Sequence, residues 1–190
     1  FVYNFIKITI IYFFLTIFII FLYKLANIRF FDGLNLAFTA ISSGGFLSKN
    51  YLSDIVRNDI QIFTLSITLL FPVFNFYLLV NILSNKFSFK KHHEDQHLFI
   101  LIFFTILFLY FFIVPKEGLA NTLLAVISSI STSGISVYPQ NYDLSLFFIL
   151  LSIIGGSLIS TSSGFKYVRI YILLKISYQE MYRLVKPINV

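Results

Sequence analysis

The sequence predicts an all-α membrane protein made of two tandem helix–re-entrant loop–helix repeats. Three observations carry that expectation. The 190-residue chain is 58% hydrophobic and 12% charged, more apolar than a soluble domain of this size. The polar, glycine-centred stretch SSGGFL, Ser42 to Leu47, returns 89 residues later as STSGIS, Ser131 to Ser136. Each copy closes an apolar stretch only about half as long as a bilayer is thick. Irregular backbone at membrane depth is tolerated only where it is buried in protein or lines a water-filled cavity.

The repeat extends beyond the hexapeptides. Asp32-Gly33-Leu34 aligns with Asn121-Thr122-Leu123, Ile41 with Ile130, and Gly45 with Gly134. The net charge of +6 fits basic residues gathered on cytoplasmic loops, so no nucleic-acid partner is expected. The absence of cysteine excludes disulfides and thiolate metal sites. The chain opens on Phe1 and reads as a processed or partial product. Its first apolar run lacks the short basic head and small-residue cleavage site of a signal peptide.

Val2 to Leu25 is the first expected span, about 36 Å as a helix. Asp32 to Ile41 is a half-helix of about 15 Å, with Asp32 as its N-cap, running into Ser42-Ser43-Gly44-Gly45. Ile60 to Leu83 is the second span, kinked at Pro72. Ser84 to Gln96 is a polar segment carrying Lys86, Lys90, Lys91, His92 and His93. His97 to Val114 spans again and Pro115 stops it. Asn121 to Ile130 is the second half-helix. Leu144 opens a fourth span, interrupted at Gly155-Gly156. The segment GGSLISTSSG, Gly155 to Gly164, is polar and flexible; Phe165 to Lys175 and a mixed tail follow.

The loop at 84–96 and both chain ends are placed in the cytoplasm. That side then holds nine cations (Lys7, Lys86, Lys90, Lys91, Lys166, Arg169, Lys175, Arg183, Lys186) against five (Lys24, Arg29, Lys49, Arg57, Lys116) on the other, the expected sign of bias. The outer five are matched by Asp32, Asp54, Asp59, Glu117 and Asp143.

A dehydrated monovalent cation needs oxygens to replace its water shell, and main-chain carbonyls supply them in ion filters. Glycine reaches the backbone conformations that aim carbonyls at an axis. Gly45 and Gly134 fit that role, with Ser42, Ser43 and Gly44, and Ser131, Thr132 and Ser133, beside them. The alternative for either copy is a tight turn or close packing of small residues. The half-helix C-terminal ends favour a cation through the helix dipole, or are simple connectors. Gly155, Gly156, Ser160, Thr161 and Gly164 read as a flexible gate, or as a small-residue patch where helices cross. Lys166 and Arg169, three apart on one helix face, read as a latch for that loop or as anchors that snorkel to the interface. Asn75 and Asn81 are expected to bond between helices. His92, His93 and His97, with Glu94 and Asp95, read as a solvated loop rather than a metal site. No nucleophile–base set or phosphate-binding glycine loop appears, so an enzyme is not expected.

These residues resemble the Trk-type potassium uptake proteins of the Trk/Ktr/HKT superfamily, which carry four helix–pore-loop–helix repeats in one polypeptide. AFTAISSGGF, Ala37 to Phe46, is similar to the second filter segment of that family, and VISSISTSGIS, Val126 to Ser136, to the third. GGSLISTSSGFKYVRIYILLK, Gly155 to Lys175, resembles the broken second helix of the third repeat, where a small-residue loop gates the pore and a Lys and an Arg follow it. The tail from Arg183 to Pro187 resembles the link toward a fourth repeat. Leu47, Ile135 and the loop residues Leu158, Ile159, Ser162 and Ser163 depart from the family pattern.

The resemblance implies half of a four-repeat pore. Residues 1–90 would be the second repeat, 91–176 the third and 177–190 a cytoplasmic link. It implies potassium as the transported ion, no cofactor, and a multi-pass protein of the cell membrane. It also implies first and fourth repeats supplied elsewhere, a homodimer and a cytosolic nucleotide-binding regulatory ring. The competing expectation is a truncated, non-transporting membrane module or an assembly-dependent subunit.

Overall fold

The structure, a computed structural model, describes residues 2–76, 78, 81, 93–113, 118–136 and 144–185. Among them are seven α-helices and no strand. In chain order they are α1 (Val2–Leu25), α2 (Phe30–Ser42), α3 (Asp59–Leu70), α4 (His93–Phe108), α5 (Leu119–Ile130), α6 (Ser145–Ile154) and α7 (Tyr167–Val185). A 3₁₀ turn (Leu52–Asp54) lies between α2 and α3, and a π-helical turn (Leu109–Ile113) extends α4.

Two continuous helices among the described residues are long and apolar enough to cross a membrane: Phe5–Leu25 within α1, and His93–Phe111, made of α4 and its π turn. These are the first and third expected spans. Their large apolar side chains point outward: Phe13, Phe14, Phe18 and Phe21 on α1, and Phe99, Phe103 and Phe104 on α4, are exposed. Apolar surface of this extent marks a lipid or protein contact. The second and fourth spans are broken instead. Helix α3 ends at Leu70, ahead of Pro72, and helical backbone resumes only at Phe76. Pro72 therefore breaks rather than kinks the span. Helix α6 ends at Ile154, where Gly155 takes φ 65°. The rest of the expected second span to Leu83 apart from residues 78 and 81, the segment 84–92 with His92, Val114 and Pro115, and the tail from Lys186 lie outside the described residues.

Helices α2 and α5, the two half-helices, form the centre with α3 between them. Helix α2 buries Gly33, Leu36, Ala37, Ala40 and Ile41, the one-face spacing of an amphipathic helix. Helix α5 buries Ala120, Leu124, Ile127 and Ile130, and α3 packs Ile62, Leu65 and Leu69 into the same core. Within lipid, close packing and satisfied polar groups hold helices together, because lipid tails are as apolar as the side chains. Tyr23 of α1 illustrates this: its buried hydroxyl lies 2.5 Å from that of Thr68 on α3.

Three local expectations are corrected. Asp32 is not the N-cap of α2, which starts at Phe30 after a left-handed Asn27 (φ 57°) turns the chain. The Asp32 carboxylate is buried, accepts the Ser48 hydroxyl at 2.6 Å and pairs with Arg29 at 3.6 Å. It thereby ties the segment leaving the first glycine turn to the start of the half-helix. Residues 93–96 are not a solvated loop, since α4 begins at His93 and turns Glu94 and Asp95 inward. Lys166 does not share a helix face with Arg169. It precedes α7, at φ 70°.

Candidate ion pathway of two half-helix ends and a broken-helix loop

Helices α2 and α5 end in the same way. At the end of α2, Ser43 adopts a left-handed conformation (φ 54°) and Gly45 follows at φ 73°. At the end of α5, Thr132 takes φ 60° and Gly134 φ 65°. Both pairs stand 89 residues apart, so backbone geometry repeats at the offset of the sequence motif. A left-handed residue closes a helix by turning its following N–H groups back onto the last carbonyls. Accordingly Gly44 N–H donates to Thr39 O at 3.1 Å, and Ser133 N–H to Ser128 O at 3.0 Å. Glycine fills one left-handed position of each pair at little cost, whereas a β-branched threonine there is strained.

Side chains brace the turns. The Thr39 hydroxyl donates to the Phe46 carbonyl, and Ser42 to Phe38 O at 2.7 Å. The hydroxyls of Ser131 and Ser133 lie 3.0 Å apart. The Ser43 hydroxyl is buried with no hydrogen-bond partner among the described residues. The two turns also meet: a Cβ on Gly45 would collide with the Ser133 carbonyl oxygen. Main-chain carbonyls of 43–45 and 132–134 accept no hydrogen bond from the described residues. Beside the second turn is an open cavity of about 400 Å³, lined by Ser128, Ser129, Thr132, Gly134, Ser152 and Ser163 with Phe148 and Ile149.

Residues 155–166 leave α6 and return to α7 as a compact loop with its ends clipped together. Phe165 N–H donates to Ile153 O at 2.9 Å and Tyr167 N–H to Gly156 O at 3.2 Å. Gly155 lies against the Ser163 carbonyl, and a Cβ on Gly164 would stand 2.6 Å from Ser152 O. Gly156 N–H donates to the Ser162 hydroxyl at 2.9 Å, and the Ser160 and Ser162 hydroxyls are 2.9 Å apart.

The loop reaches both half-helix ends. Thr161 donates its hydroxyl to the Ile41 carbonyl at 2.6 Å. Ser163 donates its N–H (3.0 Å) and hydroxyl (2.8 Å) to the Thr132 hydroxyl. It also fits the break after α3. Ser157 N–H donates to Val73 O at 2.8 Å, Ser162 N–H to Pro72 O at 3.4 Å, and Phe76 N–H to the loop's Ile159 O at 3.0 Å. A broken helix frees main-chain groups that must find partners away from water. Here the two broken spans satisfy each other.

Lys166 closes the loop from within. Its ammonium donates to the carbonyls of Ser160 (3.2 Å) and Ser162 and to the Ser160 hydroxyl (3.0 Å). Arg169 is exposed and its guanidinium makes no hydrogen bond or ion pair among the described residues. Two further residues, which the sequence places in a solvated loop, join the site. Glu94 accepts the Leu158 N–H at 2.5 Å, and the buried Asp95 accepts the Asn75 N–H at 2.9 Å. Asn75 thus lies in the break, and its main chain bonds to α4. Two acids at the head of an apolar run were the available signal, since ionisable groups at a span are costly unless they have work to do. No group of three or more potential metal ligands occurs among the described residues.

Half-length helices ending in glycine turns, packed against long apolar spans, define a multi-pass helical membrane protein. No family model matches the chain. The potassium transporter TrkH from Vibrio parahaemolyticus has the same fold, with a TM-score of 0.77 and 23% identity over 93% of this chain and 41% of that one. An uncharacterised cation transporter of Methanocaldococcus jannaschii is 29% identical over 181 residues, 93% of this chain. The chain spans 37% of that relative's length. The Trk-type resemblance read from the sequence therefore holds at the level of fold, and both relatives are transporters rather than enzymes by name.

Proposed function

We propose that this chain carries part of a potassium pathway, with residues 42–45 and 131–134 as two segments of its filter and residues 155–164 as its gate. One observation carries the reading: two half-helix ends with the same left-handed geometry meet, and their six carbonyls accept no hydrogen bond from the described residues. Such carbonyls suit a dehydrated cation, and the helix C-terminal ends behind them favour positive charge. The loop contacts the end of α2 through Thr161 and the second turn through Ser163, so its position governs access to them. The cavity beside Thr132 and Gly134 is lined by hydroxyls, which suit a cation that still carries water.

Two turns cannot surround an ion. The ring needs further turns, which the first and fourth repeats of the Trk-type pattern would supply, from the same polypeptide or another. In that reading residues 1–90 and 91–176 are the second and third repeats. The same resemblance extends the proposal to a homodimer with a cytosolic nucleotide-binding ring, which particle mass in detergent tests. The test of transport is rubidium uptake in potassium-transport-deficient cells expressing this chain alone or the full reading frame around it. Uptake by the full frame supports the proposal. Its absence, with protein present in the membrane, favours a non-transporting module.

A further inference from the structure

Helix α4 begins with two acids, each of which accepts a main-chain N–H from a broken span. Asp95 holds the Asn75 N–H, a donor freed by the break after α3, and Glu94 holds the Leu158 N–H, a donor freed by the break after α6. Both breaks are thus tied to the first turn of one helix. The Glu94 bond is the longer-range of the two, joining residues 64 apart in sequence. Leu158 lies next to Ser157, whose N–H is held by Val73 O and whose side chain is fully buried. Lys166 grips the other limb of the loop at Ser160 and Ser162. The loop is therefore held at one limb by an anion on a neighbouring helix and at the other by a cation of its own.

We propose that Glu94 is a positioning residue for the gate. Its carboxylate, by holding the Leu158 N–H, keeps residues 157–163 seated against the ends of both half-helices, and release of that bond lets the loop leave them. This deepens the gate reading above and rests on it. The first turn of α4 becomes the point from which a displacement is passed to the loop. Asp95 keeps the broken second span in register with the same turn.

Ser157 supplies a reporter. Its hydroxyl is buried and has no hydrogen-bond partner among the described residues, so Ser157→Cys exchanges one small group for another without breaking a contact. This chain has no cysteine; in the full-length protein any cysteine elsewhere is replaced. Labelling of Ser157→Cys by a membrane-impermeant methanethiosulfonate is followed in inside-out vesicles, with rubidium uptake measured on the same preparation. Ser66→Cys, at a buried site on α3, serves as the reference. Glu94→Ala is expected to speed labelling at Ser157→Cys about tenfold, the scale of losing one charge-assisted hydrogen bond. Glu94→Gln keeps an acceptor oxygen and is expected to stay within about threefold of the parent. Labelling at Ser66→Cys is expected not to change.

An unchanged labelling rate in Glu94→Ala overturns the proposal. So does equal acceleration by Glu94→Gln, because the acceptor is then irrelevant, or parallel acceleration at Ser66→Cys, because the bundle has then loosened as a whole. The expected labelling pattern without uptake in any version supports the Glu94 contact while removing the transport reading.

Discussion

Gly45 and Ser133 stand so close that a methyl group on the glycine would occupy the space of the serine's carbonyl oxygen. Their chain segments belong to different half-helices, and this approach joins the two glycine turns. Gly134 holds the matching place in the second turn, yet a Cβ there meets nothing within 4 Å. Equivalent positions in the repeat thus differ in what surrounds them.

The two glycines are therefore expected to respond differently to alanine. Gly45→Ala adds left-handed strain to a collision with main chain that has no flexible end to give way. About 3 kcal/mol of stability is expected to be lost, together with rubidium uptake. Gly134→Ala carries only the conformational cost, about 1 kcal/mol. Thermal unfolding in mild detergent measures the contrast, and equal loss at both positions would count against the close approach.

Thr132 links the second turn to the loop at 155–166, and its hydroxyl receives two donors from Ser163. Thr132→Val keeps the shape and deletes the acceptor, leaving a loop N–H without its partner. A loss of about 1–3 kcal/mol is expected, with a larger resting rubidium flux as the loop leaves the turn. Thr132→Ser retains the hydroxyl and relieves the β-branched strain at φ 60°, so it is expected to match or exceed the parent in stability. A Thr132→Val protein with parental flux would show that this contact does not seat the loop.

Local pattern made part of this architecture legible and tertiary contact hid the rest. The run from Val2 to Leu25 is continuous and apolar, so α1 is legible directly. The glycine hexapeptides marked where α2 and α5 stop, because little else in an apolar chain ends a helix. Pro72 announced a disturbance in the second span, but its extent depends on donors at Ser157 and Ser162, more than eighty residues away. Asp32 reads as a cap because an acid at the third position of a helix looks the same in sequence as one at its cap. Glu94 and Asp95 resembled a solvated loop, since their neighbours are histidines and a lysine-rich segment. Only the fold shows that their acceptors face two breaks.

In sequence Lys166 and Arg169 look equivalent as cations following the proposed gate, and the structure separates them. Lys166 binds two loop carbonyls and a hydroxyl, whereas Arg169 is exposed. Lys166→Met preserves the apolar stem and removes three donors, so the loop is expected to loosen and resting flux to rise several-fold. Arg169→Met is expected to leave flux and unfolding temperature within error of the parent. Rubidium efflux from loaded vesicles distinguishes the pair, and matching behaviour would return both residues to the role of interface anchors.

Pro72 tests whether the two broken spans depend on each other. Proline lacks an N–H and clashes with the preceding turn, so α3 cannot continue through it. Pro72→Ala removes both obstacles. Continued helix from Asp59 would draw the carbonyls of residues 72 and 73 into the bonds of that helix, away from the N–H groups of Ser162 and Ser157. Those donors would then lack acceptors at membrane depth, which costs several kcal/mol unless the loop moves. The variant is therefore expected to displace the loop, raising labelling at Ser157→Cys and altering flux, while the half-helix turns stay in place. Unchanged labelling in Pro72→Ala would show that the loop, by holding the carbonyls of residues 72 and 73, keeps the span broken without the proline.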